Sequence, residues 1–183
     1  MFPEVWLRTN RRAFYVGMVG PAVCLAIGAA LLAIGRFADL SWARGTGYAT
    51  LAVAAVLLLL LGWQIIRPRI ARKGNFVLLY LRPGAPIAVP LEYVEAFLIG
   101  QGPSFIRPDQ PDASLASTIV LKIADRAQDY AQRDVHEALA SWCNHYVTIR
   151  GAWCEPLSLD VVNRLNATLA KAQQERLQES RSR

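Results

Sequence analysis

Cys143, His145, Cys154 and His136 are the side chains whose types come nearest to chemistry: thiols and imidazoles ligate zinc, and a thiol beside an imidazole is a nucleophile. Structural zinc sites typically use tight Cys-x-x-Cys pairs, and no such pair occurs here. A cysteine nucleophile beside His145 would need an Asp or Asn to orient the ring, and neither a nucleophile elbow nor a cysteine-enzyme signature accompanies it. Glu92 and Glu95 resemble a carboxylate pair, but three residues apart on a strand they point to opposite faces. Gly100-Gln101-Gly102 runs into Pro103, which breaks the helix a phosphate cradle requires, and neither Gly-x-Gly-x-x-Gly nor His-Glu-x-x-His occurs. Trp142 and Trp153 read as core packing rather than a ligand-stacking pair. No catalytic, metal-ligating or cofactor-binding residue is assigned, and the chain is read as a non-enzyme.

The strongest pattern is positional. Arg67, Arg69, Arg72 and Lys73 follow directly on residues 45–66, an uncharged stretch centred on Val56 to Leu61. A helix needs roughly 20 apolar residues to cross the hydrocarbon core, so this stretch is expected to span a membrane. A second uncharged run covers residues 13–35, longer than the roughly 7–15 apolar residues of a signal peptide, and is read as another span, kinked near Pro21. The segments flanking the pair, with Arg8, Arg11 and Arg12 before it and the four-cation collar behind it, are richer in cations than the connection, which has Arg36 and Arg44. Cation-rich short segments stay inside, so both termini are expected in the cytoplasm. Phe37, Trp42 and Tyr48 would mark the outer interface, Tyr15 and Trp63 the inner one. Ala22, Ala26 and Ala30 offer a small-residue ridge for the second span, against Thr50 and Ala54. Neither run contains an ionisable Asp, Glu, Lys, Arg or His, which argues against a self-contained pump or ion pathway.

Composition sets the remaining limits. A chain of 183 residues, 54% hydrophobic and 19% charged, has room for a small membrane part and one further domain of about 100 residues. Beyond Lys73 the cations are interleaved with Asp and Glu rather than gathered on one face, so no nucleic-acid partner is expected. The boundaries read as a cytoplasmic lead at 1–12, a transmembrane hairpin at 13–66, a cytoplasmic domain at 67–172 and a polar, fraying tail at 173–183.

Within the domain, residues 75–82, 86–90 and 93–99 read as strands, followed by a Pro-rich connection over Gly100 to Ser117. Residues 118–124 alternate as a strand, Arg133 to Asn144 carries Val135, Leu139 and Trp142 at helical spacing, and residues 145–150 form another strand. Ser158 is placed to cap a last helix with the stripe Leu159, Val162, Leu165 and Leu169. Phe105 and Ile106, an apolar pair in the long connection, are the candidate partner-binding residues; the collar is the candidate contact for lipid headgroups.

Two N-terminal spans, the lead-in Arg67-Pro68-Arg69-Ile70, strands and one closing helix together resemble the bacterial pleckstrin-homology-like membrane proteins. The segments Arg69-Ile70-Ala71-Arg72-Lys73-Gly74 and Val89-Pro90-Leu91-Glu92-Tyr93-Val94-Glu95 carry most of the likeness. The resemblance implies an α+β fold, with a curved antiparallel sheet or partial barrel closed by the last helix, acting as a binding platform. The expected function is a non-catalytic scaffold or accessory subunit that binds a protein partner, or a second copy, at the inner membrane face. Anionic-lipid recognition by the collar is one alternative; a membrane-tethered hydrolase with a site under the Gly100 connection is another.

Overall fold

A computed structural model describes residues 3–102 and 116–181. The chain divides into two units, Arg11–Arg67 and the remainder, and the remainder includes the residues before the first long helix.

The first unit is a pair of helices, α1 (Arg11–Phe37) and α2 (Ser41–Ile66). Both are long and apolar enough to cross a membrane, over Tyr15–Phe37 and Ser41–Ile66. The connection is only three residues, shorter than the stretch left between the two uncharged runs. Asp39 turns the chain with φ 49°, and its carboxylate pairs with Arg44 at 2.9 Å. The contact between the helices runs through glycine rather than the alanine ridge. Pro21, Gly28 and Gly35 are buried seven residues apart on α1, opposite Ala43, Gly47 and Ala54 on α2. A Cβ on Gly28 would lie 2.9 Å from the Leu51 side chain and 3.2 Å from the Gly47 carbonyl oxygen, so the backbones approach closely only because that position is bare. Ala22, Ala26 and Ala30 face outward instead. Phe37, Trp42, Tyr48, Tyr15 and Trp63 are all exposed on this unit.

The second unit holds two antiparallel sheets. The first has strands β1 (Glu4–Leu7), β2 (Ile70–Lys73), β3 (Phe76–Leu79) and β4 (Ile87–Pro90), paired in that order. Residues 4–7, expected in a separate lead, are thus a strand of the domain: Glu4 and Val5 lie opposite Arg72 and Ala71, and Trp6 and Leu7 enter the core. The second sheet has β5 (Val94–Gly102), β6 (Ala116–Ile123), β7 (Ala140–Cys143) and β8 (Tyr146–Arg150), ordered β5-β6-β8-β7. Phe97, Ile119, Leu121, Val147 and Ile149 from this sheet join Ile70, Val77, Leu79 and Val89 from the first in one hydrophobic core. Trp6 meets Phe97 edge-on, with centroids 6.3 Å apart.

The helix expected over Arg133 to Asn144 is not formed. Ala140 and Trp142 are buried while Ser141 and Cys143 are exposed, the period of a strand. Asn144 and His145 have φ of 47° and 68°, the left-handed pair that a two-residue hairpin turn demands. Pairing with β8 overrides the helical spacing of Val135, Leu139 and Trp142.

The last helix, α3 (Leu159–Arg181), buries Val162, Leu165, Leu169 and Ala172, and the Ser158 hydroxyl accepts the Val161 N–H at 3.4 Å. Leu159, read as part of the stripe, is 65% exposed. The helix does not stop near Gln173. Gln173 Nε2 donates to the Val94 carbonyl at 2.8 Å, Glu175 pairs with Arg72 at 2.8 Å, and Arg176 pairs with Glu92, so the polar end is held to the domain side chain by side chain.

Candidate functional site

The collar cations, close together in sequence, sit in separate environments. Arg69 is 2% exposed; its Nε donates to the Trp153 carbonyl at 3.2 Å and its Nη1 to the Tyr80 carbonyl at 3.4 Å. Burial lowers the Arg69 pKa from its ordinary value. Arg72 pairs with Glu175 at 2.8 Å, stands 4.0 Å from Glu4, and donates from Nε to the Gly74 carbonyl at 3.0 Å. The hydrogen bond that Arg72 Nη1 donates to Glu175 holds that carboxyl below its usual range. Arg67 lies over the Trp63 ring at 5.2 Å, and Lys73 is exposed at the strand end. These are structural roles for Arg69 and Arg72, not a four-cation surface. Phe105 and Ile106 lie outside the described residues.

The sulfur and imidazole groups are likewise dispersed. Cys143 is exposed on β7, while Cys154 is buried, its Sγ donating to the Arg150 carbonyl at 3.6 Å; burial pushes that thiol up to about 12. His136 Nδ1 accepts the Ala138 N–H at 3.3 Å. His145 Nδ1 is 3.9 Å from Asp125, and its Nε2 is buried without a partner among the described residues. Among the described residues no group of three or more His, Cys, Asp or Glu side chains could hold a metal. Glu92 and Glu95 diverge, the first to Arg176 and the second to Lys122 at 2.7 Å. Trp142 and Trp153 each spend their indole N–H on a carbonyl, of Tyr130 at 2.9 Å and Ala138 at 2.7 Å.

What sequence reading missed is a groove of about 520 Å³ beside β7, lined by Arg133, Asp134, Val135 and Glu137 together with Trp142 and Arg150. That volume falls within the roughly 300–1,000 Å³ typical of ligand clefts. β7 is an edge strand, and the Arg150 N–H bond to the Leu139 carbonyl at 2.9 Å fixes which of its residues face β8. Bonding alternates along an antiparallel pair, so Ser141 and Cys143 bond β8 while Ala140 and Trp142 turn their backbone groups outward. The other edge of this sheet is treated differently. On β5, Asn166 of α3 accepts the Phe97 N–H and donates to the Phe97 carbonyl, both at 2.8 Å, doing with one carboxamide what a neighbouring strand would do. The signal for β7 was present in the sequence: Ser141-Trp142-Cys143 and Tyr146-Val147-Thr148 flank a two-residue turn beginning with Asn. No family model matches the chain, and neither a curated protein nor a solved structure matches it.

Proposed function

We propose that this protein is a non-catalytic membrane protein that presents its α+β domain at the cytoplasmic face of a bacterial inner membrane, as a scaffold or accessory subunit for a protein partner. The observation carrying this reading is a double tether. The apolar hairpin Arg11–Arg67 is inserted between β1 and β2, neighbours in one sheet. On the near side of α1, Thr9 bridges Cys154 and the Asn10 N–H bonds the Trp153 carbonyl at 3.1 Å; beyond α2, the Arg69 N–H bonds the Leu7 carbonyl at 2.9 Å. Chain connectivity at both ends of the hairpin then keeps the whole domain on one side of the membrane, which suits a platform. Its two antiparallel sheets and closing helix are in keeping with the pleckstrin-homology-like resemblance. The lipid alternative draws less support, because Arg69 is buried and Arg72 is occupied by Glu175.

The test is photo-crosslinking from the exposed Ser141 in intact membranes, followed by purification of the full chain. A discrete protein adduct is the expected result. Adducts to lipid alone, together with selective binding of one anionic headgroup that is abolished by neutralising Arg67 and Lys73, would reverse the ranking.

A further inference from the structure

Resting on the membrane reading of the hairpin, and independent of which partner the domain takes, we infer that the Arg11–Arg67 end of the hairpin holds the phosphate of an anionic phospholipid. The parts are Arg11 and Arg12 at the start of α1 and the stacked pair Trp63 and Arg67 at the end of α2. Arg67 lies over the Trp63 ring at 5.2 Å, and Trp63 is 61% exposed. A guanidinium stacked by its face keeps its N–H donors at the edge, in the planar fork that suits a phosphate. The stack thus stands at the end of an apolar span, beside a ring whose amphipathic character favours the headgroup level.

Packing of the two helices brings the parts level. A Cβ on Gly28 would meet Leu51 and Gly47, and one on Gly35 would meet Arg44, so α1 and α2 run antiparallel in a fixed register. Pro21 and Ala54 are buried further along, and the half-buried Met18, Leu58, Leu61 and Ile65 carry the seam toward the other end. Followed that far, the register sets Arg11 and Arg12, both exposed, at the height of Arg67. Packed helices lie about 8–10 Å apart, so long side chains from both can reach one group between them. The charge contributed by the hairpin at this end is all of one sign: Asp39 is the sole acid in residues 11–67, and it pairs with Arg44 at the opposite end. A phosphodiester without a compensating amine suits such a place, whereas a zwitterionic headgroup would bring a further cation to three already there. The buried Arg69 and the Glu175-paired Arg72 take no part, so the lipid belongs to the anchor and is not a signal read by the domain.

The test takes the full chain in an uncharged detergent, titrates it with phosphatidylglycerol or with phosphatidylcholine of equal chain length, and counts the lipids retained by native mass spectrometry. In detergent, neutralising an arginine cannot act by inverting the protein in a membrane. The unaltered chain should retain one phosphatidylglycerol in preference to phosphatidylcholine. Arg67→Gln, and Arg11→Gln with Arg12→Gln, should weaken that retention about fivefold for each arginine removed, the worth of one basic residue near an anionic group. Arg36→Gln at the opposite end and Lys73→Gln in the domain should leave it unchanged. An excess of inorganic phosphate should not displace the lipid, because the apolar span retains its acyl part. Equal retention of the two lipids by the unaltered chain, or displacement by inorganic phosphate, overturns the inference whatever the variants do to folding. So does a retention that survives Arg67→Gln or falls as far with Arg36→Gln. A chain that alkaline carbonate strips from native membranes would instead remove the membrane reading on which the site rests.

Discussion

Asn166 shows how a single side chain can finish a sheet. Its carboxamide has one acceptor and one donor directed at the fully buried Phe97, and both bonds are 2.8 Å long. Asn166→Ala would leave a buried N–H and carbonyl unpaired, at about 1–3 kcal/mol for the loss of such a partner, so the urea midpoint of the detergent-solubilised chain should fall accordingly. Cys154 makes a different prediction. Burial raises its thiol from 9.0 to about 12, so between those values the unfolded chain releases a proton that the folded chain keeps. Stability contributed here is fully present below about 9 and is lost as pH rises toward 12. Urea midpoints measured from about pH 8 to about pH 10 should decline, and Cys154→Ala should make the decline shallower. Cys143, exposed on β7, should be alkylated in the native chain while Cys154 reacts only after unfolding.

Among the elements, α3 closes the core with one buried stripe. Leu165 is 1% exposed in the middle of its buried stripe, and an unpaired carboxylate there costs several kcal/mol, comparable to the stability of a whole domain. Leu165→Asp should abolish the protease-resistant domain fragment while α1 and α2 still insert; survival of that fragment would mean the helix is not what closes the core. This helix was legible in the sequence because its buried positions Val162, Leu165 and Leu169 recur within one segment and Ser158 sits at its start. Its length beyond Gln173 was not, since the partners that hold it, Arg72, Glu92 and Val94, are remote in sequence. β1 was hidden for the same reason: four residues ahead of a span carry no strand signal of their own until Ala71 and Arg72 come alongside. β7 was misread because three apolar residues at helical spacing also satisfy a strand when a neighbour is available to pair. The groove could not be read at all, for its lining brings Arg133, Val135 and Glu137 beside β7, an approach that follows from strand register rather than from local spacing.

At the scale of the whole molecule, the pairing of β1 with β2 makes a statement about topology that charge counting alone does not. Pro3 and Pro68 belong to the same compact unit, with Arg11–Arg67 looping out between them. If that loop spans a membrane, it must leave and return on one side, and Ser41 at the start of α2 must face the other. Deleting residues 3–8 would strip β2 of its neighbour and remove Trp6 and Leu7 from the core, so the domain should become protease-sensitive while the hairpin remains in the membrane. Orientation is then read by replacing the three native cysteines and placing single cysteines at Pro3, Ser41 and Ser180, followed by labelling of intact cells with an impermeant thiol reagent. The cation distribution, with Arg8, Arg11 and Arg12 on one flank and Arg67 and Lys73 on the other, predicts that only the Ser41 position is labelled from outside. Labelling at Pro3 and Ser180 but not at Ser41 would invert the protein and place its domain outside the cell, which would defeat the cytoplasmic scaffold reading but leave the fold intact. Labelling that puts Pro3 and Ser180 on opposite sides would be more damaging, because β1 could not then reach β2 across the bilayer, and the sheet that tethers the hairpin at both ends could not exist in the membrane.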